Sequence, residues 1–241
     1  MIDFKNISFV TEDGNLFLTD IGNLHNLKSS ICQVHISGGF KKTHRGNKLC
    51  DSSEGVLFKY VSHEISDNKL IIKQESSTVS ANTVFEFYED TNAIRAYTVV
   101  TNISEEDIVL EEVSSLCIEG IGGENRKLRP DTMYFTRFLQ SHHTECQPRT
   151  HSFKDYGIYA GPEGQKKICG INIGSWSTKE ELPMGIIEDK ESKNFTMFQI
   201  ESMASWYYEI SDKDKRYYLW LGGPSLSYGN WEKKLNREKC G

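Results

Sequence analysis

The chain has 241 residues, 37% of them apolar and 11% aromatic, and carries a net charge of −6. A globule of that length buries roughly 70–75% of the surface of its unfolded chain, which excludes disorder and removes any need for staples. The acidic balance excludes the basic face of a nucleic-acid domain, and no run approaches the ~20 apolar residues that span a bilayer.

Met1 leads directly into Ile2-Asp3-Phe4-Lys5-Asn6, without a basic stretch and an apolar one behind it, so no signal peptide is predicted. Six cysteines (Cys32, Cys50, Cys117, Cys146, Cys169, Cys240) show no CxxC spacing, which argues against a zinc site or redox motif. Free thiols in a reducing, cytoplasmic setting are the expectation. The sequons at Asn6, Asn102 and Asn194 carry no weight without secretion. Lys41, Lys42, His44, Arg45 and Lys48 form a basic cluster, read as a solvated loop with phosphate or sugar contact as the alternative. Gly38-Gly39 and Gly122-Gly123-Glu124-Asn125 continue into neither phosphate-loop pattern and are read as turns.

Strand signals run throughout. Lys69 to Glu75 is a short apolar run behind the turn pair Asp67-Asn68. Val84 to Tyr88 and Ala93 to Val100 flank Glu89-Asp90-Thr91-Asn92 and predict a hairpin; Ile108 to Leu110 continues the series. Trp206 to Ile210 and Tyr217 to Leu221 flank Ser211 to Arg216, predicting a second hairpin steadied by cross-strand aromatic pairs. About fourteen candidate strands at sandwich-like spacing, and no apolar stripe at helical spacing, predict one all-β domain over residues 1–241. Its expected architecture is two large packed antiparallel sheets. Trp231 to Lys239 is assigned a short helix. The stop at Lys239-Cys240-Gly241, straight after a charged segment, suggests a piece of something longer.

The densest polar block is Gln140 to Arg149, where nine of ten side chains can hydrogen-bond or carry charge. Burying such a block is costly unless each group is paired, so it is expected to meet a ligand or another domain. His142, His143, Glu145 and Cys146 are ligand types, but adjacent histidines on a strand point to opposite faces and HExxH is absent. No metal site is predicted. No Gly-x-Ser-x-Gly elbow exists, and Cys146 has a histidine base only as a sequence neighbour. Glycoside hydrolysis with retention needs two carboxylates about 5–5.5 Å apart across one sugar. The spacing of Glu111-Glu112, Glu180-Glu181, Glu188 and Asp189 selects no such pair, and most are assigned to solvated positions. Trp176, among small and polar neighbours, is read as an anchor in a domain contact, with sugar stacking as the alternative.

Several stretches together resemble the amino-terminal domain of bacterial α-galactosidases of glycoside hydrolase family 36. They are Arg137 to Arg149, Gly174 to Lys179, Gly185 to Asp189, Phe198 to Glu201, Ser205 to Asp212 and Leu221 to Pro224, within a resemblance spanning about Val34 to Trp231. The resemblance implies a galactose-mutarotase-like β-supersandwich, followed by a (β/α)8 barrel and a small carboxy-terminal β domain. The catalytic aspartates of that family lie at barrel strand ends, and a barrel needs ~250 residues of its own. No catalytic residue is therefore expected in this chain, and no cofactor. The parent enzyme would release terminal α-galactosyl residues from melibiose- or raffinose-type sugars with retention, as a homo-oligomer. His142, His143, Glu145, Gln147, Arg149 and Trp176 become candidates for the seam with the barrel or for a place near the sugar. Some tetrameric members carry a long early loop that reaches a neighbouring active site. Leu24 to Gly38 is short and Gly39 to Gly46 differs, so no lid residue is assigned.

Two other readings stand beside this one. A free-standing mutarotase-like epimerase would use a histidine and a glutamate, for which His142, His143 and Glu145 supply the residue types. A carbohydrate-binding module would stack sugars on Trp176, Trp206 or Trp220.

Overall fold

The computed structural model describes residues 1–40, 48–122, 128–159 and 164–237. Most of the basic cluster, the glycine turn beyond Gly122 and the chain end beyond Arg237 lie outside the described residues, as does Cys240. Seventeen strands and no helix occur among the described residues. In chain order they begin with β1 (Ile2–Phe4), β2 (Ile7–Glu12), β3 (Asn15–Ile21) and β4 (Val34–Ile36). Next come β5 (Lys59–Ser66), β6 (Lys69–Glu75), β7 (Val79–Phe87), β8 (Ile94–Asn102) and the long β9 (Ile108–Ile121). Then follow β10 (Met133–Leu139), β11 (Gln147–Ser152), β12 (Ile168–Asn172) and β13 (Glu181–Asp189). The last are β14 (Asn194–Gln199), β15 (Trp206–Lys213), β16 (Arg216–Gly222) and β17 (Lys233–Leu235).

The all-β antiparallel expectation holds, with the ladders divided among four hydrogen-bonded sheets. Their orders are β1-β2-β3, β5-β6-β7-β8, β11-β10-β13-β14, and β12-β15-β16-β9-β17 with β4 also on β9. Alternation decides what is buried. In β6, Leu70, Ile72 and Gln74 face the core while their neighbours are half-exposed. In β13 the same parity turns Glu181, Gly185, Ile187 and Asp189 inward together. Gly185 is required there, because a Cβ would stand 2.5 Å from Phe135 and 2.8 Å from Phe198.

The hairpin β7–β8 forms as predicted. The β15–β16 hairpin is tighter than predicted: the strands run through Lys213 and restart at Arg216. Only Asp214 and Lys215 turn, both left-handed (φ 48° and 60°), which suits the twist of a two-residue hairpin loop. The charged run looked like a loop, but Asp212 and Lys213 are ladder residues with ionic partners. Aromatics on the two arms meet diagonally rather than face to face: Glu209 lies opposite Trp220, and the Tyr207 and Trp220 ring centroids are 5.9 Å apart. The helix predicted for Trp231 to Lys239 is absent among the described residues. Lys233 to Leu235 instead pair with Leu110 to Ile108, because that end of β9 offers an open edge.

The sheet containing β10 and β13 packs on one face of the six-stranded sheet, where Tyr208 meets Phe198 (5.1 Å) and Phe135 (5.7 Å). The opposite face carries a smaller core of Leu49, Cys50, Cys117, Tyr207, Tyr218 and Trp220.

Candidate functional site

The polar block forms the end of the β10–β11 hairpin. Its backbone is irregular, with His143 (φ 63°) and Cys146 (φ 50°) both left-handed. That irregularity brings the rings of His142 and His143 to 3.9 Å, although neighbours on a regular strand would diverge. Much of the block's bonding capacity is used within the loop. Glu145 Oε1 accepts from the His143 amide (3.1 Å), Gln140 Oε1 from the Cys146 amide (3.0 Å), and Arg149 donates to the Pro148 carbonyl (2.8 Å). His142, His143, Glu145 and Arg149 are exposed, and Gln147 is half-buried.

Trp176 stands on the loop between β12 and β13, 59% exposed, its Nε1 donating to Thr178 Oγ1 (3.2 Å). The loop is anchored by Trp206 Nε1 donating to the Ser177 carbonyl (2.7 Å) and the Gly174 amide donating to Ser205 Oγ (3.1 Å). The Gln140 amide donates to the Glu180 carbonyl (2.9 Å), which sets this loop beside the hairpin end. The structure thus gathers the six candidates at one end of the β10–β13 sheet, on two neighbouring loops and an edge strand. No hydrogen bond joins Trp176 to the block among the described residues. No cluster of three or more potential metal ligands occurs among the described residues. Trp206 and Trp220 are fully buried, so neither can be a stacking platform for sugar.

Beside the block lies an ion pair between the half-buried Arg137 and the buried Glu181 that sequence reasoning missed. Arg137 Nε donates to Glu181 Oε1 (3.1 Å), a second guanidinium nitrogen meets Oε2, and the Tyr208 hydroxyl donates to Oε1. Burial works against the Arg137 charge, but its bond to Glu181 more than offsets this and raises its pKa. Burial and then the Glu181 charge push the Tyr208 phenol up. Glu181, Asp189 and Glu112, expected to be solvated, are buried; Lys48, expected in a solvated loop, is only 2% exposed. In β13 the cause is the two-residue parity that also buries Ile187.

The second missed constellation centres on Glu209, which has no solvent exposure. Its carboxylate accepts from Leu49 N (2.9 Å), Lys167 Nζ (2.7 Å), Tyr207 OH (2.8 Å) and Tyr218 OH (2.5 Å). Lys167 also bonds the Tyr228 hydroxyl at 2.5 Å. Burial disfavours the Lys167 charge, yet Glu209 outweighs it and raises the pKa. Burial, then Glu209, pushes Tyr207 and Tyr218 up. With four donors on it and no solvent, Glu209 has no room for a substrate proton. The available signal was Tyr207-Glu209-Ser211, a polar stripe at strand spacing inside an aromatic hairpin.

Two large cavities lie elsewhere. One, about 820 Å³, is lined by Asn23, Arg129, Asp131, Asp189, Glu191 and other residues. The other, about 900 Å³, runs between β8 and β14 over Leu116, Ile118, Leu219 and Leu221. Neither is lined by any of the six candidates.

Comparison with protein-family models finds no match, and neither does comparison with curated proteins. Solved structures do match. The chain superposes over 97% of its length on 37% of the galactosidase domain of an α-galactosidase–sucrose kinase, with TM-score 0.68 and 13% identity. It covers 38% of the family 36 α-galactosidase AgaA from Geobacillus stearothermophilus over 99% of its own length, with TM-score 0.67 and 10% identity. The α-galactosidase from Lactobacillus brevis gives TM-score 0.60 at 10% identity, over 95% of this chain and 32% of that one. The fold is the amino-terminal supersandwich of family 36 α-galactosidases. The likeness carries the fold alone, since identities of 10 to 13% transfer no residue roles. The chain spans between 29% and 38% of the length of these solved chains.

Proposed function

We propose that this chain is a non-catalytic scaffold of an α-galactosidase, whose parent hydrolyses terminal α-galactosyl residues of melibiose- or raffinose-type sugars with retention. The observation that carries the reading is the overlay of nearly the whole chain on about a third of a galactosidase chain. In this reading the Gln140–Arg149 hairpin and Trp176 face the parent's own barrel. Their exposure supports it, as does their placement at one end of a sheet stiffened by Arg137 and Glu181. A cytoplasmic, homo-oligomeric parent belongs to the same proposal; the free thiols of Cys32, Cys50, Cys117, Cys146 and Cys169 agree with the compartment.

The epimerase reading is disfavoured by geometry, because His142, His143 and Glu145 stand on an open turn and line neither large cavity. Two assays on the purified chain test the proposal. It should hydrolyse no melibiose and should not speed the optical-rotation decay of fresh α-galactose. Accelerated decay would transfer the assignment to an epimerase. A reading frame that continues past codon 241 into a barrel is expected; an immediate stop codon would count against the scaffold.

A further inference from the structure

The segment Lys48–Ser53 crosses the face of the six-stranded sheet that bears Glu209, yet belongs to no strand. We propose that it is a strap that opens as a local unit, uncovering the aromatic floor around Glu209 while the rest of the fold stays intact.

Three observations carry this. The first is how the strap is held. Lys48 Nζ contacts the Asp212 carbonyl and lies 3.3 Å from Asp212 Oδ1; the Leu49 amide donates to Glu209 (2.9 Å). Asp51 pairs with Lys213 (2.7 Å), itself 3.1 Å from Glu119. The Ser52 amide and hydroxyl both donate to Gln33 Oε1 (3.0 and 2.8 Å), and the Ser53 amide to His35 Nδ1 (3.3 Å). Apart from the Asp212 carbonyl and the Val56 amide donating to the Ser52 carbonyl (3.3 Å), these contacts are ionic or reach a side chain, whereas the neighbouring strands are fixed by backbone ladders.

The second is the desolvation of those charges. Lys48 and Asp212 are 2% and 3% exposed, so their attraction is largely offset by lost hydration, which opening returns. Within the strap only Leu49 and Cys50 contribute fully buried apolar side chains. The third is an orphan. Trp220 Nε1, buried on the floor, has no hydrogen-bond partner among the described residues, and exposing it to solvent would remove that cost. Segments held in this way open below the free energy of global unfolding.

The cysteines are built-in reporters. Cys50 lies on the strap and Cys117 on the floor, both buried. Cys32 is packed in the other core. Cys146 is exposed. Thiol labelling of the native protein with iodoacetamide, resolved by mass spectrometry, should modify the exposed Cys146 and the half-buried Cys169 first. Cys50 and Cys117 should follow at a common rate, well ahead of Cys32. Asp51→Asn weakens one clasp and should raise the Cys50 and Cys117 rates about tenfold while leaving Cys32 unchanged. The proposal is overturned if Cys50 or Cys117 labels no faster than Cys32, or if the substitution accelerates all three alike. Should Asp51→Asn not fold, the order of labelling in the wild-type protein decides alone.

Discussion

Two polar regions of this molecule solve opposite problems. The hairpin end from Gln140 to Arg149 stays in water and satisfies many of its groups internally. The face around Glu209 is dry, and there each charged group is matched by a partner supplied from another element. The dense block in the sequence is the cheap one to keep, whereas the sparse stripe Tyr207-Glu209-Ser211 holds the chain together. Polar density along a chain measures capacity for bonding; partners across the fold decide whether that capacity becomes stability.

This contrast is sharpest at Glu209. Replacing it by alanine removes the carboxylate paired with the partly buried Lys167 and leaves two tyrosine hydroxyls and the Leu49 amide without this acceptor. The expected cost is about 3–5 kcal/mol of stability, read from denaturant unfolding. A loss below about 1 kcal/mol would put the buried network on a par with a surface contact and dissolve the comparison.

Alkaline pH probes the buried thiols and phenols of both cores. Burial raises Cys32 and Cys50 to about 12, from an ordinary value of 9.0. The native state therefore holds protons that the unfolded chain releases. Their contribution is complete below pH 9 and is lost as pH rises from there toward 12. Tyr207, Tyr208 and Tyr218 are raised by burial too, which moves stability in the same direction once the unfolded phenols ionise near pH ~10. Urea midpoints should hold steady up to pH 9 and fall at pH 10, and Cys50→Ala should soften the fall. An unchanged midpoint at pH 10 would contradict the sign.

The exposed side should respond least. In this chain Arg149→Ala and Trp176→Ala are each expected to change stability by no more than about 0.5 kcal/mol. In a parent enzyme that carries a barrel, Arg149→Ala should lower melting temperature or assembly more than turnover. Lost turnover at an unchanged melting temperature would place Arg149 in the chemistry and overturn its assignment to a seam.

The strands were legible because alternation is a local property. Lys69 to Glu75 and the β7–β8 hairpin could be read directly, and the ordered stretches from Arg137 to Pro224 carried the family resemblance. The six candidate residues were likewise visible as an unusual run and an isolated tryptophan, and the structure sets them at one end of a sheet. What the sequence could not convey was parity against a partner. Glu181 and Asp189 look like solvated carboxylates until β13 is registered against β10, which turns both inward. Lys48 looks like one more loop cation until Asp212 arrives from 164 residues away.

Local alternation and turn chemistry, written into neighbouring residues, determined by themselves that this chain folds as antiparallel strands. Which charges are dry, which aromatic faces meet, and that a segment outside any strand closes over Glu209 were decided only by tertiary packing. The reason is that a carboxylate's environment is set by groups brought from distant parts of the chain, and no short-range pattern encodes them.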